Sequence, residues 1–143
     1  MKFRDFSKEN RSNVLTHSAM LACSHPVVAS VGLECLKNGG NAVDSALTMS
    51  AVLCIAEPHM TGIGGDCFAM LSTDGSSDIK VLNASGKASK NSNADKLRYN
   101  GFTTIKHEMP DAITIPGAIS GWSLLHKQYG YMPWKEIFEP AIN

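Results

Sequence analysis

The chain has 143 residues, 43% of them hydrophobic and 18% charged, and a formal net charge of zero. That length suffices for one domain burying about 70% of its unfolded surface, and the balanced charge gives no electrostatic basis for binding nucleic acid or an anionic membrane. The longest apolar-rich segment, Ala42 to Ala56, carries Asp44 and several hydroxyls and is too short to span a bilayer.

The opening residues, MKFRDFSKENRSN, are polar and mixed in charge, with no apolar run of signal-peptide length. Read from Met1 the chain is cytoplasmic; a different true start would allow a periplasmic or extracellular location. Residues 1–18 form a polar lead, residues 19–143 the body. Ala19 to Cys23 reads as a short strand entering the core. Ser24-His25-Pro26 opens a helix, with Ser24 as N-cap or flanking residue and proline tolerated in the first turn. Gly39-Gly40 stops that helix, as a left-handed C-terminal glycine does. Asn41 is a good N-cap for a second helix rich in Ala and Ser, Asp44 stands at its third position, and Pro58 forbids its continuation.

Cys67 to Leu71 is a continuous apolar run, the pattern of a strand buried on both faces. A turn at residues 74–78 and a second strand from Ile79 to Leu82 complete an antiparallel hairpin. Residues 83–111 are polar and irregular, and Ile113 to Ile115 reads as another short strand. After the Pro116-Gly117 turn, a helix from about Ile119 to Tyr129 carries Trp122, Leu125 and Tyr129 on one side. Gly130 ends it, and Pro133 opens a last helix bearing Trp134, Ile137 and Phe138. The final residues, PWKEIFEPAIN, read as a helix in progress, so the expectation is the front part of a longer protein. Runs of like elements favour α+β, or a layered α/β/β/α arrangement, over a doubly wound sheet.

The four cysteines, 23, 35, 54 and 67, form no C-x-x-C pair, which argues against zinc and for reduced, buried thiols. His17, His25, His107 and His126 show no metal-ligand spacing, and no cofactor is expected. Gly62-Ile63-Gly64-Gly65 lacks the third glycine and following helix of a dinucleotide loop, and also the lysine and hydroxyl of a P-loop. It reads as a tight turn needing positive φ and close backbone approach. Glu57 and His59 flank a proline; with no partner for proton transfer, they read as a helix C-terminus rather than an acid–base pair. Asn83-Ala84-Ser85 matches a glycosylation pattern that means nothing without secretion. Ser85-Gly86-Lys87 reads either as a solvated loop or as one that binds a carboxylate.

Taken in order, SHPVVASVGLECLKNGGNAVDSALTMSAVLCIAEPHMTGIGGDCF closely resembles the beginning of the gamma-glutamyltransferase family. The resemblance continues through Leu82, Ile115-Pro116-Gly117, Gly121-Trp122 and Trp134 to Glu139-Pro140-Ala141-Ile142, covering essentially residues 19–143. It implies an N-terminal nucleophile hydrolase fold, an αββα sandwich incomplete in these residues. It also implies a precursor that cuts itself into a large and a small subunit. The nucleophile would be a threonine at the new N-terminus of the small subunit, its α-amine serving as base, with backbone N–H groups of a glycine pair holding the oxyanion. Thr16, Thr48, Thr61, Thr73, Thr103, Thr104 and Thr114 lie outside the family's processing motif. No catalytic residue is therefore expected in this segment, which alone should be inert. The implied partners are a small-molecule gamma-glutamyl or other acyl amide and the downstream small subunit.

The family's large subunit supplies an arginine just after the second hairpin strand, in a segment of the form L-D-G-R-E-x-A-P, to pair with the substrate's α-carboxylate. Here the segment is Leu82-Asn83-Ala84-Ser85-Gly86-Lys87-Ala88-Ser89. Ser85 stands in the arginine's place and Lys87 is a cation two positions later, similar to a divergent branch with an S-G-R-A-P loop. Ser85 and Lys87 are thus the candidate substrate-binding residues. Losing a bidentate guanidinium contact removes roughly 1.5–3 kcal/mol of binding, part of which a lysine recovers as a point charge. Three readings follow. One is a gamma-glutamyltransferase-like amidohydrolase or acyltransferase acting on gamma-glutamyl amides such as glutathione. A second is a related acylase for another acyl amide, in the manner of cephalosporin acylases. The third is a noncatalytic or truncated relative.

Overall fold

The computed structural model describes residues 14–143; the N-terminal polar lead through residue 13 lies outside the described residues. Helices α1 (Pro26–Lys37) and α2 (Ala42–Ala56) precede an antiparallel hairpin of β1 (Cys67–Ser72) and β2 (Ile79–Ala84). A short α3 (Ala94–Tyr99) and a 3-10 turn at Pro110–Ala112 follow, then α4 (Ala118–Tyr129) and α5 (Trp134–Ile142).

The joint between α1 and α2 is fixed by local chemistry. The Gly40 N–H donates to the Cys35 carbonyl at 3.0 Å and the Gly39 N–H to the Leu36 carbonyl at 3.3 Å. With Gly39 at φ +95, this is the paired Schellman closure of a helix C-terminus. Asn41 then caps α2 as expected. Its Oδ1 accepts from the Val43 and Asp44 N–H groups at 2.8 and 3.0 Å, and Asp44 Oδ2 accepts from the Asn41 N–H at 3.0 Å, a reciprocal capping box. At the start of α1 the N-cap is His25, without a side-chain cap. Ser24 is the flanking residue, and its hydroxyl donates to Glu57 Oε2 at 2.6 Å.

Asp44 is fully buried. Beyond its own cap it accepts from the backbone N–H groups of Tyr131 at 3.1 Å and Met132 at 3.2 Å. The Asn41 side-chain amide donates to the Tyr129 carbonyl at 2.6 Å. The N-terminus of α2 therefore grips the link between α4 and α5, nearly ninety residues later. Ser45 donates to the Gly32 carbonyl at 2.9 Å and draws α1 onto α2.

The core forms where α2, α4 and α5 meet the inner face of the hairpin: Leu47, Ala51, Trp122, Leu125 and Ile137, with Cys67, Ala69, Leu71 and Leu82 packed against them. Trp122, Phe138, Trp134 and His126 continue as a chain of tilted and edge-on ring contacts, with centroids 4.6–6.0 Å apart.

Four expectations need correction. The hairpin pairs Cys67 with Ala84 through Ser72 with Ile79, but it is not buried on both faces. Phe68, Met70 and Val81 on its outer face are 67%, 75% and 69% exposed, because among the described residues only the inner face meets helices. Ala19–Cys23 forms no strand; a short apolar run cannot supply a ladder partner. Ile113–Ile115 forms none either. Its single bond to the segment opposite runs from the Ile115 N–H to the Lys87 carbonyl, and Pro116 has no N–H with which to continue. Finally, residues 83–111 are not wholly irregular. Asn93 caps α3 by accepting from the Lys96 N–H at 3.0 Å, with Asp95 in the first turn. No residue of α3 is buried, so no apolar stripe announced it.

Candidate functional site

Where β2 ends, three backbone segments converge. A Cβ on Gly86 would collide with the Ile115 carbonyl oxygen, and one on Gly117 with the Ala84 carbonyl oxygen. On Gly121 it would lie 2.6 Å from the Ala84 Cβ. These glycines let the start of α4 and the Thr114–Gly117 turn press against the chain leaving the hairpin. No side chain caps α4. Instead the Gly65 carbonyl accepts from the N–H groups of both Gly117 and Ala118, at 3.0 and 2.9 Å, which satisfies two donors at the helix N-terminus.

The resulting cleft, about 360 Å³, is lined by Ser85, Lys87, Ile115, Gly117, Ser120 and Leu124 among others. The two residues singled out from the sequence thus face one cavity, and both are exposed. Ser85 is internally engaged: its N–H and its hydroxyl both donate to Asn83 Oδ1, at 2.9 and 2.8 Å. Lys87 pairs with no carboxylate among the described residues. Its carbonyl accepts from the Ile115 N–H at 3.0 Å, so the backbone at this cation is fixed while its ammonium has no ion-pair partner among the described residues. Asp66 was not singled out from the sequence. Its Oδ1 accepts from the Gly86 N–H at 3.0 Å and the Thr114 hydroxyl at 3.1 Å. The only sequence signal for it was a carboxylate placed directly after a glycine pair.

The glycine loop itself departs from expectation. Gly62, Gly64 and Gly65 are not at positive φ. A Cβ on Gly62 or Gly64 would meet nothing within 4 Å, and one on Gly65 would sit 3.4 Å from the Gly62 carbonyl. The loop is closed by ordinary bonds, Gly65 N–H to the Gly62 carbonyl at 3.1 Å and Met60 N–H to the Glu57 carbonyl at 2.9 Å. It borders a second open cleft of about 380 Å³ with His59, Thr61 and Asp66 in its wall. Glu57 ends α2 and holds Ser24, the structural role read for it.

No three His, Cys, Asp or Glu side chains come together as a metal site among the described residues. All four cysteines are free. Burial pushes the Cys35 thiol above its ordinary value; the nearby Asp44 charge adds to this, and a weak contact with the Thr48 hydroxyl works against it. Burial raises Cys67 as well, opposed in part by Trp122. Neither thiol is poised as a nucleophile, since the thiolate is the reactive form. Of the threonines, Thr48 has a buried hydroxyl that, beyond its contact with the Cys35 thiol, makes no hydrogen bond among the described residues, and Thr114 is held by Asp66. No helix among the described residues is long and apolar enough to cross a membrane.

The same fold occurs in solved enzymes. The gamma-glutamyltranspeptidase of Helicobacter pylori superposes with a TM-score of 0.81 at 26% identity, over 92% of this chain and 38% of that one. A cephalosporin acylase from Bacillus halodurans superposes at 0.75 with 36% identity, over 83% of this chain and 22% of that one. Among curated proteins, a glutathione hydrolase-like YwrD proenzyme of Bacillus subtilis is 35% identical over 130 residues, which are 90% of this chain and 24% of that protein. The chain thus spans about a quarter of the length of that relative. The helix–hairpin–helix frame is accordingly one portion of an N-terminal nucleophile hydrolase fold. The gamma-glutamyltranspeptidase family profile matches residues 28–143, and the chain belongs to that family.

Proposed function

We propose that residues 19–143 are the N-terminal portion of the large subunit of a gamma-glutamyltransferase-like amidohydrolase or acyltransferase. It would cleave gamma-glutamyl amides such as glutathione with an N-terminal threonine supplied by the rest of the precursor. The observation that carries this reading is the family match over residues 28–143. Within it, the portion described here contributes a wall of the substrate site and no nucleophile. Ser85 and Lys87 line one cleft. The Lys87 ammonium anchors a substrate carboxylate as a point charge, and Ser85 and Asn83 shape the loop beside it. The exposed outer hairpin face, with Phe68, Met70 and Val81, is the surface that the remaining subunit covers.

The test is to express the complete gene and look first for self-cleavage ahead of a threonine, then for glutamate release from a gamma-glutamyl anilide. Both are expected. An intact precursor that never cleaves would refute the enzyme reading. Cleavage without glutamyl turnover would remove only the glutamyl specificity.

A second reading keeps the scaffold and changes the acyl group. Its specific observation is Ser85 where a guanidinium would stand, together with 36% identity to a cephalosporin acylase. A lone ammonium suits the single terminal carboxylate of a dicarboxylic acyl chain. Parallel assays with gamma-glutamyl and glutaryl anilides separate the two, and preference for the glutaryl compound would favour the acylase.

A further inference from the structure

We propose that Asp66 is the positioning residue of the Ser85–Lys87 loop; this role rests on reading that loop as the carboxylate-recognising wall. The hairpin ladder ends at Ala84, so no strand pairing fixes the residues beyond it. Apart from the Ile115 N–H bond to the Lys87 carbonyl and the local turn of Ser85 onto Asn83, the bonds that place them converge on one dipeptide. Asp66 Oδ1 accepts from the Gly86 N–H at 3.0 Å and from the Thr114 hydroxyl at 3.1 Å. The Gly65 carbonyl accepts from Gly117 and Ala118. Gly65-Asp66 therefore ties the glycine loop to both sides of the cleft, across sequence separations of 20 and 48 residues at Asp66 alone.

The geometry makes Gly86 the point of control. Its α-carbon is bounded by the Ile115 carbonyl on the side a Cβ would occupy, and its N–H is held by Asp66. Ser85 and Lys87 are its immediate neighbours, so fixing Gly86 fixes where both side chains begin. Asp66 lies at the surface, where water competes for its donors. A charged acceptor forms hydrogen bonds roughly twice as strong as a neutral one, which favours a carboxylate here over an amide or hydroxyl. Asp66 acts through the Gly86 backbone and touches no reacting atom in this arrangement. Losing it should therefore weaken binding of the substrate carboxylate in ground and transition states alike. That raises KM and leaves kcat unchanged. A loss of structure alone would lower the active fraction, and so kcat, without moving KM.

The experiment uses the intact protein, with all the chain that accompanies residues 1–143. Steady-state kinetics are measured on gamma-glutamyl and glutaryl anilides, for Asp66→Ala, Asp66→Asn, Thr114→Val and Lys87→Ala. Deuterium uptake is followed at the Gly86 amide. Asp66→Ala is expected to raise KM about tenfold with kcat within twofold, and to speed exchange at Gly86. Asp66→Asn keeps an acceptor oxygen without its charge and should recover about half of the loss. Thr114→Val, which removes one donor and no charge, should raise KM about twofold to threefold; it serves as the test if Asp66→Ala does not fold. If Lys87→Ala raises KM while Asp66→Ala or Thr114→Val leaves it unchanged, the positioning role is overturned and the reading of the loop stands. If Asp66→Ala speeds Gly86 exchange but neither it nor Lys87→Ala moves KM, the reading of the loop falls and the role falls with it.

Discussion

Gly39-Gly40 and Gly64-Gly65 are the same dipeptide in opposite mechanical settings. The first is constrained, at Gly39 by its backbone alone and at Gly40 by its neighbours. Gly39 holds a left-handed φ, and a Cβ on Gly40 would lie 2.7 Å from both the Cys35 and Met132 sulfurs. The second is open: neither residue has a positive φ, and Gly64 has nothing near its missing side chain. What the second pair offers is backbone, the Gly65 carbonyl that receives the start of α4 and the carboxylate that follows it. The contrast runs through the whole molecule. On the enclosed side, α2 grips the α4–α5 link through a buried carboxylate. On the open side, loops are held to one another by single bonds around water-accessible clefts. Stability is concentrated on the first side, and the candidate recognition chemistry on the second.

The contrast breaks most directly at Asp44. Asp44→Ala leaves the part-buried N–H groups of Asn41, Tyr131 and Met132 without their acceptor and removes half of the capping box. The expected cost is about 3–5 kcal/mol, read as a fall in the urea midpoint at unchanged slope. A cost below about 1 kcal/mol would mean that the grip on the α4–α5 link is not a main tie of the fold. Ile137→Ala, emptying a side chain only 1% exposed, should cost about 2–5 kcal/mol by the same measurement.

Next in size is a four-way glycine comparison. Gly86→Ala drives a methyl into the Ile115 carbonyl and should cost about 1–3 kcal/mol as the backbone shifts. Gly39→Ala should cost about 1–2 kcal/mol for its left-handed φ. Gly62→Ala and Gly64→Ala should be neutral, or stabilising by about 0.4–1 kcal/mol, since the native backbone suits alanine and the unfolded chain loses freedom. If Gly64→Ala destabilised the chain as much as Gly39→Ala, the two pairs would not differ in kind. If Gly64→Ala were neutral in stability yet lowered turnover in the intact protein, the open pair would be assigned to the site.

This asymmetry also explains what could be read before the fold was known. The enclosed side is built from rules that act within a few residues: the Gly39 stop, the Asn41–Asp44 capping box, the Pro26 and Pro133 helix starts, the Trp122–Leu125–Tyr129 stripe. Each leaves a local mark in the sequence. The open side is built from contacts between residues far apart, such as Asp66 with Gly86 and Thr114, or Gly65 with Ala118. No spacing rule reports those. The pattern of Ser85-Gly86-Lys87 left both a solvated loop and a carboxylate-binding loop open; what singled the two residues out was the resemblance, with Ser85 in the family arginine's place and Lys87 two positions later. The short apolar runs Ala19–Cys23 and Ile113–Ile115 misled for the converse reason: strand propensity is local, but a strand exists only if a partner lies alongside. The hairpin's apolar run was correctly read as a strand, yet its composition could not show that the outer face is left uncovered by the described residues.

The thiols give the smallest and most specific test of the contrast. Cys35 is buried on the enclosed side, and Cys67 opens β1 directly beside Asp66. Burial raises both thiols above the ordinary value near 9.0. In the unfolded chain they ionise near that value, so between it and the higher folded values the unfolded state binds fewer protons than the folded one. Their contribution to stability is therefore complete below about pH 9 and declines as pH rises through the folded-state values. Because lysines and tyrosines titrate in the same range, the measurement is a difference. The fall in urea midpoint from pH 8 to pH 10.5 should be shallower in Cys35→Ala and Cys67→Ala than in the unsubstituted chain. Iodoacetamide at pH 8 should modify both more slowly than a free thiol, because only the thiolate attacks. Cys35, closed in by Gly40 and Met132, should react last. Equal alkylation of Cys35 and Cys67 would show that the enclosed side opens as readily as the cleft side, and the division between a stability half and a recognition half would not hold.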